Sequence, residues 1–401
     1  MKRFNRSIYA VMGVIMLLMA GFIYAWSVMA SVINKELMIA QGTLSLTFTL
    51  VMITFCLGGL LAGIIGKKSS VRDLLVPATI MLSTGLIIAS YTKGVALLYI
   101  GFGIISGLGS GIIYNVVMSN ISKWFPDKQG FISGIMLMGF GISSFIVGKL
   151  FVAMSSGSVS LWRTTFKLFA ITAFVILAVL SFLFNGPTED YKVEGVKKVK
   201  KEPATELEPK KMIGHKAFII YYIWAILTTG AGLTIVSQAS GIVTQVNENI
   251  SAATIATVVG VLAIANGLGR VIFGALFDKL DARTVMVMDV AAYILAAWCF
   301  ILALLHNTAI SAIIGFILCG IAYGAVPTIN SAIISDYFGR RNFAINYSIT
   351  NTNLIIASFA STIAGRIYDC FGTYMRVVAV MLIYVLIALI MIIPLRRPKG
   401  E

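Results

Sequence analysis

The chain has 401 residues, of which 59% are hydrophobic and 12% charged, with a formal net charge of +15. So apolar a composition excludes a soluble globular domain, and in a membrane chain a basic excess is topogenic charge, not a nucleic-acid surface. Four scattered cysteines without a CxxC pair and two lone histidines, His215 and His306, exclude a disulfide framework, a metal centre and a catalytic triad; no cofactor is expected, and no enzyme.

Runs of about 18 or more nearly uncharged residues read as membrane-spanning helices. Twelve are predicted, at 8–33, 43–66, 74–92, 96–121, 130–154, 165–185, 217–245, 253–277, 284–305, 309–335, 343–366 and 374–395. The first is too long for the apolar region of a signal peptide and is expected to remain as a span. In the fourth, Gly103, Gly107 and Gly111 recur at a spacing of four, the pattern of close helix packing. A phosphate loop does not fit there, because no strand precedes it and no GK[ST] follows. After the sixth span comes a stretch rich in Lys, Glu and Pro, which cannot bury a core and reads as a linker. The expected fold is an all-α membrane protein of two pseudo-symmetric six-helix bundles, 1–185 and 217–401, joined by a cytoplasmic charged linker at 186–216.

The basic residues test this layout. With the N-terminus inside, 23 fall in segments on that side and 7 on the other, which puts both termini in the cytoplasm. Of the 31, one is left over: Arg270, within the eighth span. Of the 16 acids, only Asp289 falls within a span, close to its cytoplasmic end, so no proton carrier of the usual kind is expected. An internal repeat appears at an offset of 211: GLLAGIIGKKSSVR (59–72) aligns with RVIFGALFDKLDAR (270–283), and ISKWFPDK (121–128) with ISDYFGRR (334–341). Parallel repeats of six spans are one plan of secondary transporters. Gly59 stands at the Arg270 position of the first half, so only one half carries the cation.

The stretch Gly274–Arg283, G-x-x-x-D-K-x-x-x-R, resembles the loop signature of the major facilitator superfamily, with Lys67 replacing the acid in the first-half copy. More closely, IYAWSV in the first span, YNVVMSNISKWFPDKQGFISGIMLMGFGISS across the fourth and fifth, and NGLGRVIFG in the eighth resemble the oxalate/formate antiporter family, a relative of the monocarboxylate transporters, along essentially the whole chain. The resemblance implies anion exchange and assigns substrate-carboxylate binding to Arg270, with Tyr24, Tyr114 and Tyr323 at the family's site tyrosines. It also places Leu354 where that family's oxalate transporter has a lysine, so the group that would neutralise a second carboxylate is missing.

Arg270 lies about seven residues, or ~10 Å, from the end of its span. A charge near the bilayer centre costs about 2.5–3.5 kcal/mol, which a bound carboxylate would offset through the planar guanidinium fork. Asn266 stands one turn away, and Ala263, Gly267 and Gly274 make that face small, as suits a cavity wall. The competing readings are a side chain that snorkels to the interface and a structural bridge to Asp289. Each tyrosine could equally be packing, and Asn115, Asn351 and Asn353 could serve interhelical hydrogen bonds. The expected substrate contacts are Arg270, Tyr24, Tyr114, Tyr323, Asn266 and Asn351. Asp278, Lys279, Arg283, Asp336, Arg340 and Arg341 form a cytoplasmic cluster, read either as a gate of ion pairs or as topogenic charge.

The expected function is secondary active transport of a small organic anion, such as formate or lactate, across a bacterial inner membrane. Exchange is favoured, with proton symport as the alternative. A facilitator of neutral solutes with a structural Arg270, and a transporter-like receptor signalling through its linker, are the rivals. The expected partners are a small carboxylate and membrane lipid, with no nucleic acid, and the chain is expected to be a monomer.

Overall fold

The computed structural model describes residues 5–66, 69–125, 129–158, 160–187, 191, 205–339 and 341–398, without the side chains of 129–131, 133, 278 and 344. Twelve helices are long and apolar enough to cross a membrane. They are α1 (Arg6–Leu37), α2 (Gln41–Ile65), α3 (Val71–Ser90), α4 (Leu98–Trp124), α5 (Gly134–Met154), α6 (Leu161–Leu183), α7 (Lys216–Val246), α8 (Ala252–Phe277), α9 (Ala282–His306), α10 (Ala309–Phe338), α11 (Ile345–Phe371) and α12 (Tyr374–Ile392). These match the twelve predicted runs within a few residues. No strand occurs among the described residues. The face that carries the α6–α7 linker is called the linker face below.

The two halves repeat one packing plan. In the first, α2 packs along α4, α3 along α6, and α1 against α4 and α5; in the second, α8 packs along α10, α9 along α12, and α7 against α10 and α11. The halves meet through α2 with α11, α5 with α8, and α1 with α7. Glycines set the closest seams. A Cβ on Gly111 would fall on the Phe55 carbonyl of α2, and one on Gly324 of α10 would fall on the Asn266 carbonyl of α8. The second seam fixes how α8 presents its residues to the centre.

Several helices depart from regular α-helical winding. The middle of α1, Gly21–Ala25, is wound as a 3-10 turn that contains Tyr24. The first nine residues of α4, Leu98–Ser106, form a π-helix. Within α11 the helix is interrupted at Thr352 and Ser358. Toward the end of the linker, Thr205–Leu207 runs along the end of α10: the Leu207 N–H donates to the Phe338 carbonyl (2.9 Å) and the Thr205 hydroxyl to the Tyr337 carbonyl (2.6 Å).

Candidate functional site

A cavity of about 420 Å³ lies between the halves, walled by α1, α5, α7, α8 and α10. Its polar lining is Arg270, Asn266, Tyr24, Tyr323 and Ser144; the rest is apolar or glycine, including Leu137, Phe140, Val236, Val259 and Leu262. Helical side chains lean toward the helix N-terminus. In α8 that direction leads from the linker face toward the membrane centre, and Arg270 follows it: its Nε donates to Asn266 Oδ1, one turn back, at 3.3 Å. The guanidinium therefore turns inward and does not snorkel. Among the described residues no carboxylate pairs with it, and its two terminal nitrogens have no protein acceptor. Asp289 does not bridge to it: both Asp289 oxygens lack a hydrogen-bond partner among the described residues.

Tyr24 and Tyr323 face each other across the two halves, their hydroxyls 3.3 Å apart. The 3-10 turn aims Tyr24, and the α8–α10 seam holds Tyr323. Tyr114 stands one ring behind the wall: its ring centroid is 5.1 Å from that of Phe140, which lines the cavity. Asn351 lies outside the lining. Its Oδ1 accepts from Asn330 Nδ2 (3.3 Å), and Asn330 Oδ1 accepts from the Tyr221 hydroxyl, so Asn351 belongs to a polar link between α7, α10 and α11. Of the six expected substrate contacts, the structure brings Arg270, Asn266, Tyr24 and Tyr323 together and sets Tyr114 and Asn351 outside the cavity lining.

The linker-face cluster is partly described; Arg340 and the Asp278 side chain lie outside the described residues. Asp336 pairs with Arg397 at 2.8 Å, Arg283 Nη2 donates to the Ile393 carbonyl at 2.9 Å, the Arg341 N–H donates to Glu206 Oε2 at 3.0 Å, and Lys279 is exposed. Each of these contacts stays within the second half and the linker end docked on it.

Among the described residues, a further set of hydrogen bonds joins the halves on the opposite face, where sequence reading named none. The Asp369 carboxylate at the end of α11 accepts from the backbone N–H groups of Gln41 (2.8 Å) and Gly42 (2.7 Å), the first residues of α2. Below it, Gln41 Nε2 donates to Gln238 Oε1 (3.1 Å) and Gln238 Nε2 to the Ser45 hydroxyl (2.8 Å). Deeper still, the Thr49 hydroxyl bonds the Ser358 carbonyl and the Thr362 hydroxyl, both at 2.8 Å. Such bonds exchange readily for water, since each is worth only about 0.5–1.5 kcal/mol net. The available signal was Gln238 and Thr49 lying within apolar runs; Asp369 gave none, because a carboxylate near a helix end is ordinary.

Asp289 differs from its sequence reading. It lies seven residues past Ala282 in α9, as Arg270 lies seven before Phe277 in α8, so both are about 10 Å deep. Asp289 has no exposed surface. A carboxyl does lie deep in this bundle, because α7, α10 and α12 close over the face of α9 that carries it.

The family model of the Major Facilitator Superfamily matches residues 11–362. The oxalate:formate antiporter of Oxalobacter formigenes is 23% identical over 372 residues, 92% of this chain and 86% of that protein. An uncharacterised MFS-type transporter of Escherichia coli K12, YhjX, is 23% identical over 330 residues, 82% of this chain and 80% of its own. Monocarboxylate transporter 12 of Rattus norvegicus is 29% identical over 90 residues, 22% of this chain and 18% of that one. Among solved structures, a bacterial homologue of the human lysosomal transporter Spinster, inward-facing and occupied, superposes with a TM-score of 0.76 at 14% identity, covering 98% of this chain and 97% of the other. The nucleoside transporter NupG superposes with a TM-score of 0.72 at 13% identity, covering 96% of this chain and 97% of the other.

Proposed function

The chain belongs to the Major Facilitator Superfamily and is an integral membrane transporter, not an enzyme, and from that premise we propose that it carries a small organic monocarboxylate by alternating access. The observation behind this reading is Arg270: a guanidinium on the wall of the central cavity, with both terminal nitrogens free of protein acceptors among the described residues. A carboxylate fits that fork bidentately, and the two tyrosine hydroxyls opposite can donate to it. Arg270 is the single charged residue in the lining. Leu354, where the resemblance places a lysine of the family's oxalate transporter, packs as a partly buried core residue. One fixed cation suits one carboxylate, and the apolar wall suits a short carbon tail.

The cytoplasmic orientation read from the basic residues makes the linker face the inner one, in a bacterial plasma membrane. The hydrogen bonds between the halves on the opposite face support reading this arrangement as one closed toward the outside. Reorientation with an empty site would drag Arg270's charge, uncompensated, through the low-dielectric centre. An anion must therefore ride with it in each direction, which favours exchange. The oxalate:formate antiporter relative is in keeping with this. A neutral-solute carrier would leave the unpaired guanidinium without a role.

The test is counterflow in liposomes containing the purified protein, preloaded in turn with formate, lactate, oxalate and a sugar. Exchange of a monocarboxylate that fails in both Arg270→Gln and Arg270→Lys supports the proposal. Normal carboxylate counterflow in both variants, or counterflow of the sugar alone, refutes it.

A further inference from the structure

The cavity between the halves has two unlike ends. Position along each helix sets the levels, at about 1.5 Å per residue. Asn266 lies fourteen residues from Ala252, where α8 meets the face opposite the linker, and Tyr323 lies fourteen from Ala309, the matching end of α10. Tyr24 lies thirteen from Leu37, the matching end of α1. These three, with the Arg270 side chain bonded back to Asn266, share one level about 20 Å below the opposite face. The rest of the lining climbs toward that face. Val236 and Leu262 are each ten residues from the opposite-face ends of α7 and α8, and Ala239 and Val259 each seven. All four are buried, so they border a void inside the protein and not lipid. Ser144 of α5 adds a hydroxyl to this part of the wall, but it already donates to the Tyr24 carbonyl at 3.2 Å.

A cavity built this way has a cationic head and an apolar shaft. From Asn266 to Val259 is seven residues of α8, about 10 Å. An extended carbon chain advances about 1.2 Å per bond, a third of the span of one extended residue. With the radius of an end methyl allowed for, the shaft takes a tail of about six carbons. A one-carbon acid would fill the head and leave water against apolar walls; a tail of matching length expels that water, which is favourable. The shaft also has a closed end. Ser240, the residue after Ala239, donates its hydroxyl to that of Ser27 on α1 at 3.3 Å, across the halves.

We propose that the preferred anion is a medium-length aliphatic monocarboxylate, its carboxylate on Arg270 and its tail pointing toward the opposite face between α7 and α8. The inference rests on the anion reading and sharpens it. Val236, Ala239, Val259 and Leu262 then set the preferred chain length. Formate and lactate satisfy the head alone and are the weaker ligands. Tails longer than the shaft gain nothing more, because it ends beneath the Ser27–Ser240 contact.

The experiment measures, by calorimetry at neutral pH, the binding of sodium acetate, butyrate, hexanoate, octanoate and decanoate to the intact protein in lipid nanodiscs. Each added methylene should tighten binding about fourfold up to hexanoate or octanoate, with no further gain at decanoate. Hexanoate bearing a terminal hydroxyl should bind about tenfold more weakly than hexanoate itself. Ala239→Leu, which shortens the shaft, should weaken hexanoate about tenfold more than acetate. Acetate binding as tightly as hexanoate overturns the proposal, as do an unbroken gain through decanoate and an equal loss of acetate and hexanoate in Ala239→Leu. The chain-length series on the parent decides the case even if that variant fails to fold. Arg270→Gln separates the site from partition into the disc lipid and should lose the whole series. If the parent binds none of the acids, or Arg270→Gln binds them as the parent does, the anion reading itself fails and this inference falls with it.

Discussion

Asp369 is where a small change should move the whole molecule. Its carboxylate caps the first turn of α2 from the other half, through two backbone N–H groups at 2.8 and 2.7 Å. Hydrogen bonds to a charged group run about 1.5–3 kcal/mol each when dry, but this residue is solvent-exposed, so roughly 1 kcal/mol apiece is the fair figure. Part is recovered by water on the freed α2 terminus, leaving about 1.5 kcal/mol, on the order of a tenfold shift toward the state in which this face is open. The bonds join α11 to α2 across the halves, so nearly all of that difference falls on the opening equilibrium and little on folding. The assay replaces Cys56, Cys299, Cys319 and Cys370 by serine and places one cysteine at Ser240, a buried residue whose hydroxyl is 3.3 Å from that of Ser27 on α1. With a membrane-impermeant maleimide, Asp369→Ala should label about ten times faster than its parent, and Asp369→Glu much less so. Equal labelling rates in the parent and the alanine variant, at equal thermal stability, would refute the idea that this contact holds the face closed.

Gly365→Leu should act in the same direction by sterics: a Cβ at Gly365 already comes within 2.7 Å of the Gln41 carbonyl and 2.8 Å of Gly42 Cα, so α2 and α11 could not close. Labelling at position 240 should then become fast and transport should stop. Gly324→Ala should drive a methyl into the Asn266 carbonyl at the α8–α10 seam, cost about 1–3 kcal/mol and displace Arg270; a lower melting temperature in detergent, with lost counterflow, checks it. Tyr24→Phe and Tyr323→Phe each remove one of the two hydroxyls that face the carboxylate, so each should raise the carboxylate KM and the double variant should raise it further than either. Asp281 caps α9 by accepting from the Thr284 N–H (3.1 Å) and hydroxyl (2.6 Å), bonds that hold its carboxyl below the usual range. Asp281→Ala should cost about 1 kcal/mol of thermal stability near neutral pH. Because the folded value is the lower one, that contribution is complete above the unfolded pKa of about 3.9 and fades as pH falls through the folded value, so the two proteins should converge in acid.

Apolar run length made the twelve spans and their order legible, because a bilayer offers no partner for a bare backbone and each crossing must be a long helix. Arg270 was legible for the same reason: a permanent cation in such a run stands out against every neighbour. Asn266 one turn away was readable from helical spacing. Tyr24 and Tyr323, nearly 300 residues apart, were named only through resemblance, since nothing local separates a tyrosine in a cavity from one in a packed seam. Tyr114 and Asn351 carry the same local signature, yet lie behind the wall and in a helix-to-helix link.

The linear order of residues determined how many times this protein crosses, where its basic residues gather and which cation has no place in lipid, all properties that depend on near neighbours and solvent. That Asp369 meets α2, and that Asp289 is buried without a hydrogen-bond partner among the described residues, were decided only when helices packed between and within the halves, because those facts depend on residues brought together from different helices. Helical period and hydropathy say which side of a helix avoids water; they do not say whether lipid, protein or a cavity lies on the other side.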